Sequence, residues 1–147
     1  MRPVWQDYFM QIAELAATRS QCHSRQVGAV IVQGLHVIAT GYNGVPSGIE
    51  PCAGCLRKTC AAGNGYAVCP AVHAEANAIA QAAKLGVSTY KAHIYTTYVP
   101  CKDCAGLLIN AGIRTLVIRS EPNAPAFLPG NLAHKLINES GLGVIKI

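Results

Sequence analysis

Four residues in two short runs carry the chemistry this chain offers. His73 and Glu75 stand two apart in Val72-His73-Ala74-Glu75, and Cys101 and Cys104 stand three apart in Pro100-Cys101-Lys102-Asp103-Cys104. One imidazole and two thiolates are the protein ligands of an open zinc site, which keeps its fourth corner for water. A neutral imidazole and two thiolates cancel the charge of Zn²⁺, and a water held by such a zinc ionises near neutral pH. Glu75 is then the carboxylate that can carry protons between that water and a substrate.

The elements that present these residues follow from their spacing. Positions 101 and 104 fall on one face of a helical turn. If Pro100 marks the start of that turn, the thiolates also sit at the positive end of a helix dipole. Residues two apart on a regular helix point in nearly opposite directions, so His73 and Glu75 share a metal only if the helix begins at His73. Each run alone has a plainer reading: C-x-x-C as a redox pair, His-x-Glu as a solvated helix start. Their co-occurrence, with proline before the first cysteine, favours the metal.

The rest of the chain supplies a frame. Trp5, Tyr8, Phe9, Ile12, Leu15 and Ala16 recur at three- and four-residue steps, predicting an amphipathic helix over 4–19. Two β-rich runs, 27–32 and 36–42, flank Gln33-Gly34-Leu35 and predict an antiparallel hairpin. Helices are predicted over 73–85, ended by Gly86, over 102–111, ended by Gly112, and over 132–139. Strands are predicted over 93–98, 115–119 and 144–147, and a proline-rich loop over 121–130. Helices alternating with strands after a hairpin imply a mixed sheet covered by helices, an α/β fold. At 147 residues it forms one domain, 1–147.

Only 13% of residues are charged while 51% are hydrophobic, so part of the surface is expected to be covered by copies of the same chain. The net charge of +5 suits an anionic ligand, but no run of like charges indicates a nucleic-acid tail. No apolar stretch reaches membrane-spanning length, and no apolar signal region opens the chain. With seven cysteines, an odd number, a reduced cytoplasmic metal protein is expected in place of a disulfide-stapled one.

The stretch 43–72 is rich in Gly, Pro and Cys and long for a structureless loop. Cys52, Cys55, Cys60 and Cys69 within it suggest that a metal holds it, Cys52-x-x-Cys55 having knuckle spacing. Free cysteines packed as small hydrophobes are the alternative.

These motifs together identify a family. H-x-E followed by P-C-x-x-C is the signature of the zinc nucleobase deaminases. With Ser24-Arg25-Gln26-Val27-Gly28-Ala29-Val30 and Gly41-Tyr42-Asn43-Gly44, the chain to about Ser120 resembles the deoxycytidylate (dCMP) deaminase branch of the cytidine deaminase superfamily. The resemblance implies a three-layer α/β/α sandwich with a central mixed five-stranded sheet. It makes His73, Cys101 and Cys104 the catalytic zinc ligands and Glu75 the proton shuttle. The implied reaction hydrolyses dCMP to dUMP and ammonia, supplying dUMP for thymidylate synthesis: water attacks C4 of the ring, and Glu75 protonates N3 and then the departing amine. A homohexamer activated by dCTP and inhibited by dTTP is implied, with effector contacts around Gly41, Tyr42 and Gly44.

By the same resemblance Cys22 and Cys69 join Cys52 and Cys55 around a second, structural zinc, with Cys60 the rival ligand. Asn43 would bond the deoxyribose hydroxyl, or hold a Gly-rich turn through its backbone. Ser24 and Arg25 would accept the phosphate, or form a solvated surface pair. Tyr98 or Tyr42 would stack on the pyrimidine, or fill core. A deaminase acting on a base within tRNA shares the zinc motifs, but it needs a basic groove that these scattered charges do not suggest. A non-catalytic zinc module is disfavoured, because it has no use for Glu75.

Overall fold

The computed structural model describes residues 1–60, 65–119 and 130–147. Along them run α1 (Trp5–Ala17), β1 (Gly28–Gln33), β2 (His36–Tyr42), a 3-10 turn (Leu56–Thr59), α2 (Ala74–Lys84), β3 (His93–Thr96), α3 (Lys102–Asn110), β4 (Thr115–Ile118), α4 (Leu132–Ser140) and β5 (Gly143–Lys146). The strands form one mixed sheet in the order β2-β1-β3-β4-β5. The first two pairings are antiparallel and the last two parallel. The hairpin closes through Gly34 and Leu35, both at positive φ (53° and 66°), so that β1 runs one residue later than expected and pairs Gln33 with His36. The parallel pairs need crossovers, and α3 and α4 provide them.

Side chains alternate across the sheet with the period of two that strands impose. Ala29, Ile31, Ile94, Leu116 and Ile118 face α2, α3 and α4 in the larger core cluster. Val30, Val32, Tyr95 and Val117 face α1, which contributes Phe9, Met10 and Ala13. Helices on both faces make the expected three-layer α/β/α sandwich. No helix among the described residues is long and apolar enough to cross a membrane.

Three expectations need correction. On α1 the buried residues are Phe9, Met10, Ala13 and Ala17, whereas Trp5, Tyr8 and Leu15 are exposed. Close approach is the reason: a Cβ on Gly28 would lie 1.9 Å from the Ala13 carbonyl oxygen, so only small side chains fit between helix and strand at that point. The strand expected over 93–98 ends at Thr96, where the Thr96 hydroxyl donates to the Tyr98 carbonyl (2.9 Å) and turns the chain toward Cys101. The irregular 43–72 stretch includes the 3-10 turn and is closed at its neck by an antiparallel bridge between Gly44 and Val72. Its residues 61–64, and the loop expected over 121–130 apart from Gly130, lie outside the described residues.

Candidate active site

Two helix starts meet at one point. His73 is the N-cap of α2, with extended backbone (φ −71°, ψ 157°), and Cys101 is the N-cap of α3 (φ −72°, ψ 174°). Pro100, fully buried, stands just outside that cap and holds Val99 away from helical backbone. Cys104 follows one turn later and is buried. His73 Nδ1 lies 3.4 Å from Cys101 Sγ and 3.5 Å from Cys104 Sγ. Among the described residues this is the one group of three or more His, Cys, Asp or Glu ligand atoms lying within 4.8 Å of one another.

The donor set fits zinc on distance as well as on type. Tetrahedral zinc with Zn–S of about 2.3 Å and Zn–N of about 2.0–2.1 Å separates nitrogen from sulfur by about 3.6 Å. Both observed separations are close to that value.

Electrostatics prepare the same atoms. Hydrogen bonding from the Cys104 thiol, with help from His73 and the Cys104 backbone N–H, outweighs burial and lowers the Cys101 pKa to about 4. The same thiol–thiol bond, together with burial, pushes Cys104 up. His73 is raised by its bond to Cys101, with burial and the charge of Arg57 opposing. Glu75, only 3% exposed, is raised by burial. Burial therefore makes Glu75 hold a proton more tightly than an exposed carboxylate does.

Glu75, His73 and Cys101 open onto one cavity of about 240 Å³, whose wall includes Ser24, Arg25 and Asn43. Arg25 lies with its guanidinium carbon 3.7 Å above the Tyr98 ring, and Tyr98 lines the cavity too. Sequence reasoning missed two further wall residues, Arg57 and Tyr66, which also stack (4.2 Å). Both come from the irregular loop, where no periodicity marks a side chain as facing anything. The one available signal was an arginine two residues after Cys55.

Asn43 is buried and spends its amide on the protein. Its Oδ1 accepts from the Val27 backbone N–H and its Nδ2 donates to the Arg25 carbonyl, both at 2.8 Å. It thus staples the end of β2 to the segment that presents Ser24 and Arg25, and one Nδ2 hydrogen remains beyond that bond. Gly41 packs under α2: a Cβ there would lie 2.2 Å from the Ala74 carbonyl oxygen and 2.4 Å from the Ala78 nitrogen. Its first role is to seat the helix that begins at His73. Tyr42 and Gly44 instead line a second cavity of about 310 Å³ beside the first.

That second cavity gathers the other cysteines. Cys22, Cys52, Cys55 and Cys69 all line it, while Cys60 does not and hydrogen-bonds the Leu56 carbonyl. No three of these sulfurs lie within 4.8 Å of one another, so a closed tetrahedral thiolate site is not formed.

Known proteins share this architecture. Residues 3–120 match the model of the cytidine and deoxycytidylate deaminase zinc-binding region. The deoxycytidylate deaminase of Mycobacterium phage D29 is 39% identical over 127 residues, covering 82% of this chain and 98% of the phage protein. The deoxycytidylate deaminase of Schizosaccharomyces pombe is 41% identical over 126 residues, covering 83% of this chain. This chain spans only 39% of that yeast protein's length. The crystal structure of the dCMP deaminase from cyanophage S-TIM5 in complex with dCMP and dUMP matches with a TM-score of 0.79. Identity there is 28%, and the match covers 100% of this chain and 99% of the cyanophage chain. With four fifths of its length under that family model, and with the two helix starts assembling the motif residues the model describes, the chain belongs to the cytidine and deoxycytidylate deaminase family.

Proposed function

We propose that this protein hydrolyses dCMP to dUMP and ammonia, supplying dUMP for thymidylate synthesis in the cytoplasm. The observation that carries the reading is the shared cavity: a buried carboxyl, Glu75, opens onto it beside a His-Cys-Cys donor set, with Ser24 and Arg25 at its wall. His73, Cys101 and Cys104 would hold zinc, which when bound supplies the Lewis acidity that makes a water nucleophilic near neutral pH. Glu75 takes a proton from the attacking water and delivers it to ring N3. It then carries the second proton to the amino group leaving C4, so that ammonia departs. The spare Nδ2 hydrogen of Asn43 meets the deoxyribose, and Ser24 and Arg25 meet the phosphate.

The reading extends to assembly and control. A homohexamer is supported by the exposed apolar side chains of α1, and dCTP activation and dTTP inhibition go with the resemblance to the dCMP deaminase branch carried by Gly41-Tyr42-Asn43-Gly44. Tyr42 and Gly44 at the second cavity are the effector contacts, with Gly41 acting behind them through α2. Cys22, Cys52, Cys55 and Cys69 would hold a second, structural zinc, which would require their sulfurs to come closer together than they stand here. Their common cavity, from which Cys60 is absent, supports that choice of four.

An ultraviolet assay of the zinc-loaded protein on dCMP, deoxycytidine, cytosine and a tRNA tests the activity. We expect dCMP to be turned over with the highest kcat/KM. Deoxycytidine turned over as efficiently as dCMP, or reaction of the tRNA alone, overturns the nucleotide reading.

A further inference from the structure

Two arginine–tyrosine stacks stand on the wall of the catalytic cavity. Arg25 over Tyr98 comes from the segment before β1, and Arg57 over Tyr66 comes from the 3-10 turn of the cysteine-bearing loop. Stacking on a ring holds a guanidinium by its face and leaves its N–H edge directed sideways, where it can donate to an anion. The one carboxylate on the cavity wall, Glu75, is buried. Among the described residues Arg57 has no carboxylate partner, and its guanidinium lies over the Tyr66 ring. The Gly65 Cα packs against the Arg57 stem, since a Cβ there would lie 3.1 Å from Arg57 Cβ, so the loop itself fixes where this arginine stands.

We infer that Arg57 is a specificity residue: it forms the second arm of a phosphate clamp with Arg25, closing on a nucleoside 5′-monophosphate from the loop side of the cavity. The inference rests on the reading that this cavity binds a nucleotide. A phosphate monoester carries nearly two negative charges at neutral pH, more than one guanidinium neutralises. Two arginines on separate chain segments match that charge and also make selection of the phosphate depend on the cysteine loop. A nucleoside lacking the phosphate offers Arg57 no anion to bond.

The test compares wild type with Arg57→Ala and Arg57→Lys, all zinc-loaded and matched in circular dichroism. Two quantities are read: the ratio of kcat/KM for dCMP to that for deoxycytidine, and the Kd for dUMP against that for deoxyuridine by calorimetry. A charge-assisted contact predicts that Arg57→Ala lowers the dCMP preference about 10- to 100-fold and weakens dUMP binding to a similar degree. Arg57→Lys, which keeps the charge without the fork, should recover part of both losses. An unchanged ratio in a wild type that prefers dCMP overturns the role of Arg57. Parallel losses on dCMP and deoxycytidine overturn it too, because they mark a residue that only shapes the cavity. Should Arg57→Ala not fold, Arg57→Lys and Arg57→Gln decide the matter by the same ratio. A wild type with no preference for dCMP is the separate failure of the nucleotide reading itself.

Discussion

Glu75 lies inside the first turn of α2, while His73, two residues earlier, is that helix's extended N-cap. Had both been helical they would have faced opposite ways. The break in backbone at His73 brings its Nδ1 onto the two cysteines and lets Glu75 enter the same cavity from within the helix. The proposed metal ligand and the proposed proton carrier are thus held by one helix start, and their spacing does not depend on a loop.

A neutral isostere at Glu75 separates chemistry from structure. Glu75→Gln keeps the side-chain shape but cannot relay protons, so kcat is expected to fall by about 10²- to 10⁴-fold. Zinc content and the thermal unfolding midpoint should stay near wild type. A metal-replete variant with near-normal kcat would falsify the shuttle role.

The cysteine groups make a stoichiometry prediction. Metal analysis of native protein should find two zincs per chain, falling to one in both His73→Ala and Cys69→Ala. A closed thiolate site contributes folding energy directly, so Cys69→Ala is expected to lower the unfolding midpoint more than His73→Ala. One zinc per chain in carefully prepared wild type would leave the second group as free thiols.

Gly41 offers a purely steric test of how α2 is seated. Gly41→Ala places a methyl where the backbone of Ala74 and Ala78 already stands. The expected cost is about 1–3 kcal/mol in urea unfolding, in the range of overpacked cores. Because α2 starts at His73, zinc should also exchange faster than in wild type. Gly44→Ala, with no atom within 4 Å of its added Cβ and no positive φ, is the control and should leave the urea midpoint near wild type. Equal midpoints for Gly41→Ala and wild type would mean that the helix can shift without penalty.

How much of this was legible beforehand depends on the kind of signal. The sheet was readable because strands bury alternate residues, and Ile31, Ile94 and Leu116 announce their faces through that period. The start of α2 at His73 was readable because the His-x-Glu spacing admits no other way to share a metal. The stripe of α1 was misread: apolar periodicity ranks Trp5 and Leu15 as core, whereas the close contact at Gly28 selects Ala13 and Ala17. Such a contact involves a residue with no side chain, so hydrophobic pattern cannot register it. Neither reading of Asn43 included the bonds its side-chain amide makes to the Val27 N–H and the Arg25 carbonyl, because those groups are remote in sequence and no spacing pairs them with it. Arg57 was invisible because a loop has no repeat that orients its side chains.

Tyr98 was left open between stacking on the pyrimidine and filling core, and its contact with Arg25 poses the question in a form kinetics can answer. The guanidinium sits 3.7 Å over the ring, a cation–π geometry that needs the aromatic face and not the hydroxyl. Tyr98→Phe should therefore keep the ratio of kcat/KM for dCMP over deoxycytidine within twofold of wild type. Tyr98→Leu removes the face and the ring's hold on Arg25, and the ratio should fall about two- to fivefold, matching about 0.5–1 kcal/mol for such a contact at an exposed site. Both substrates carry the same base and sugar, so any loss of contact with the pyrimidine cancels in the ratio. If Tyr98→Leu instead slows both substrates equally with the ratio unchanged, the ring serves the base, and Arg25 finds its position without it.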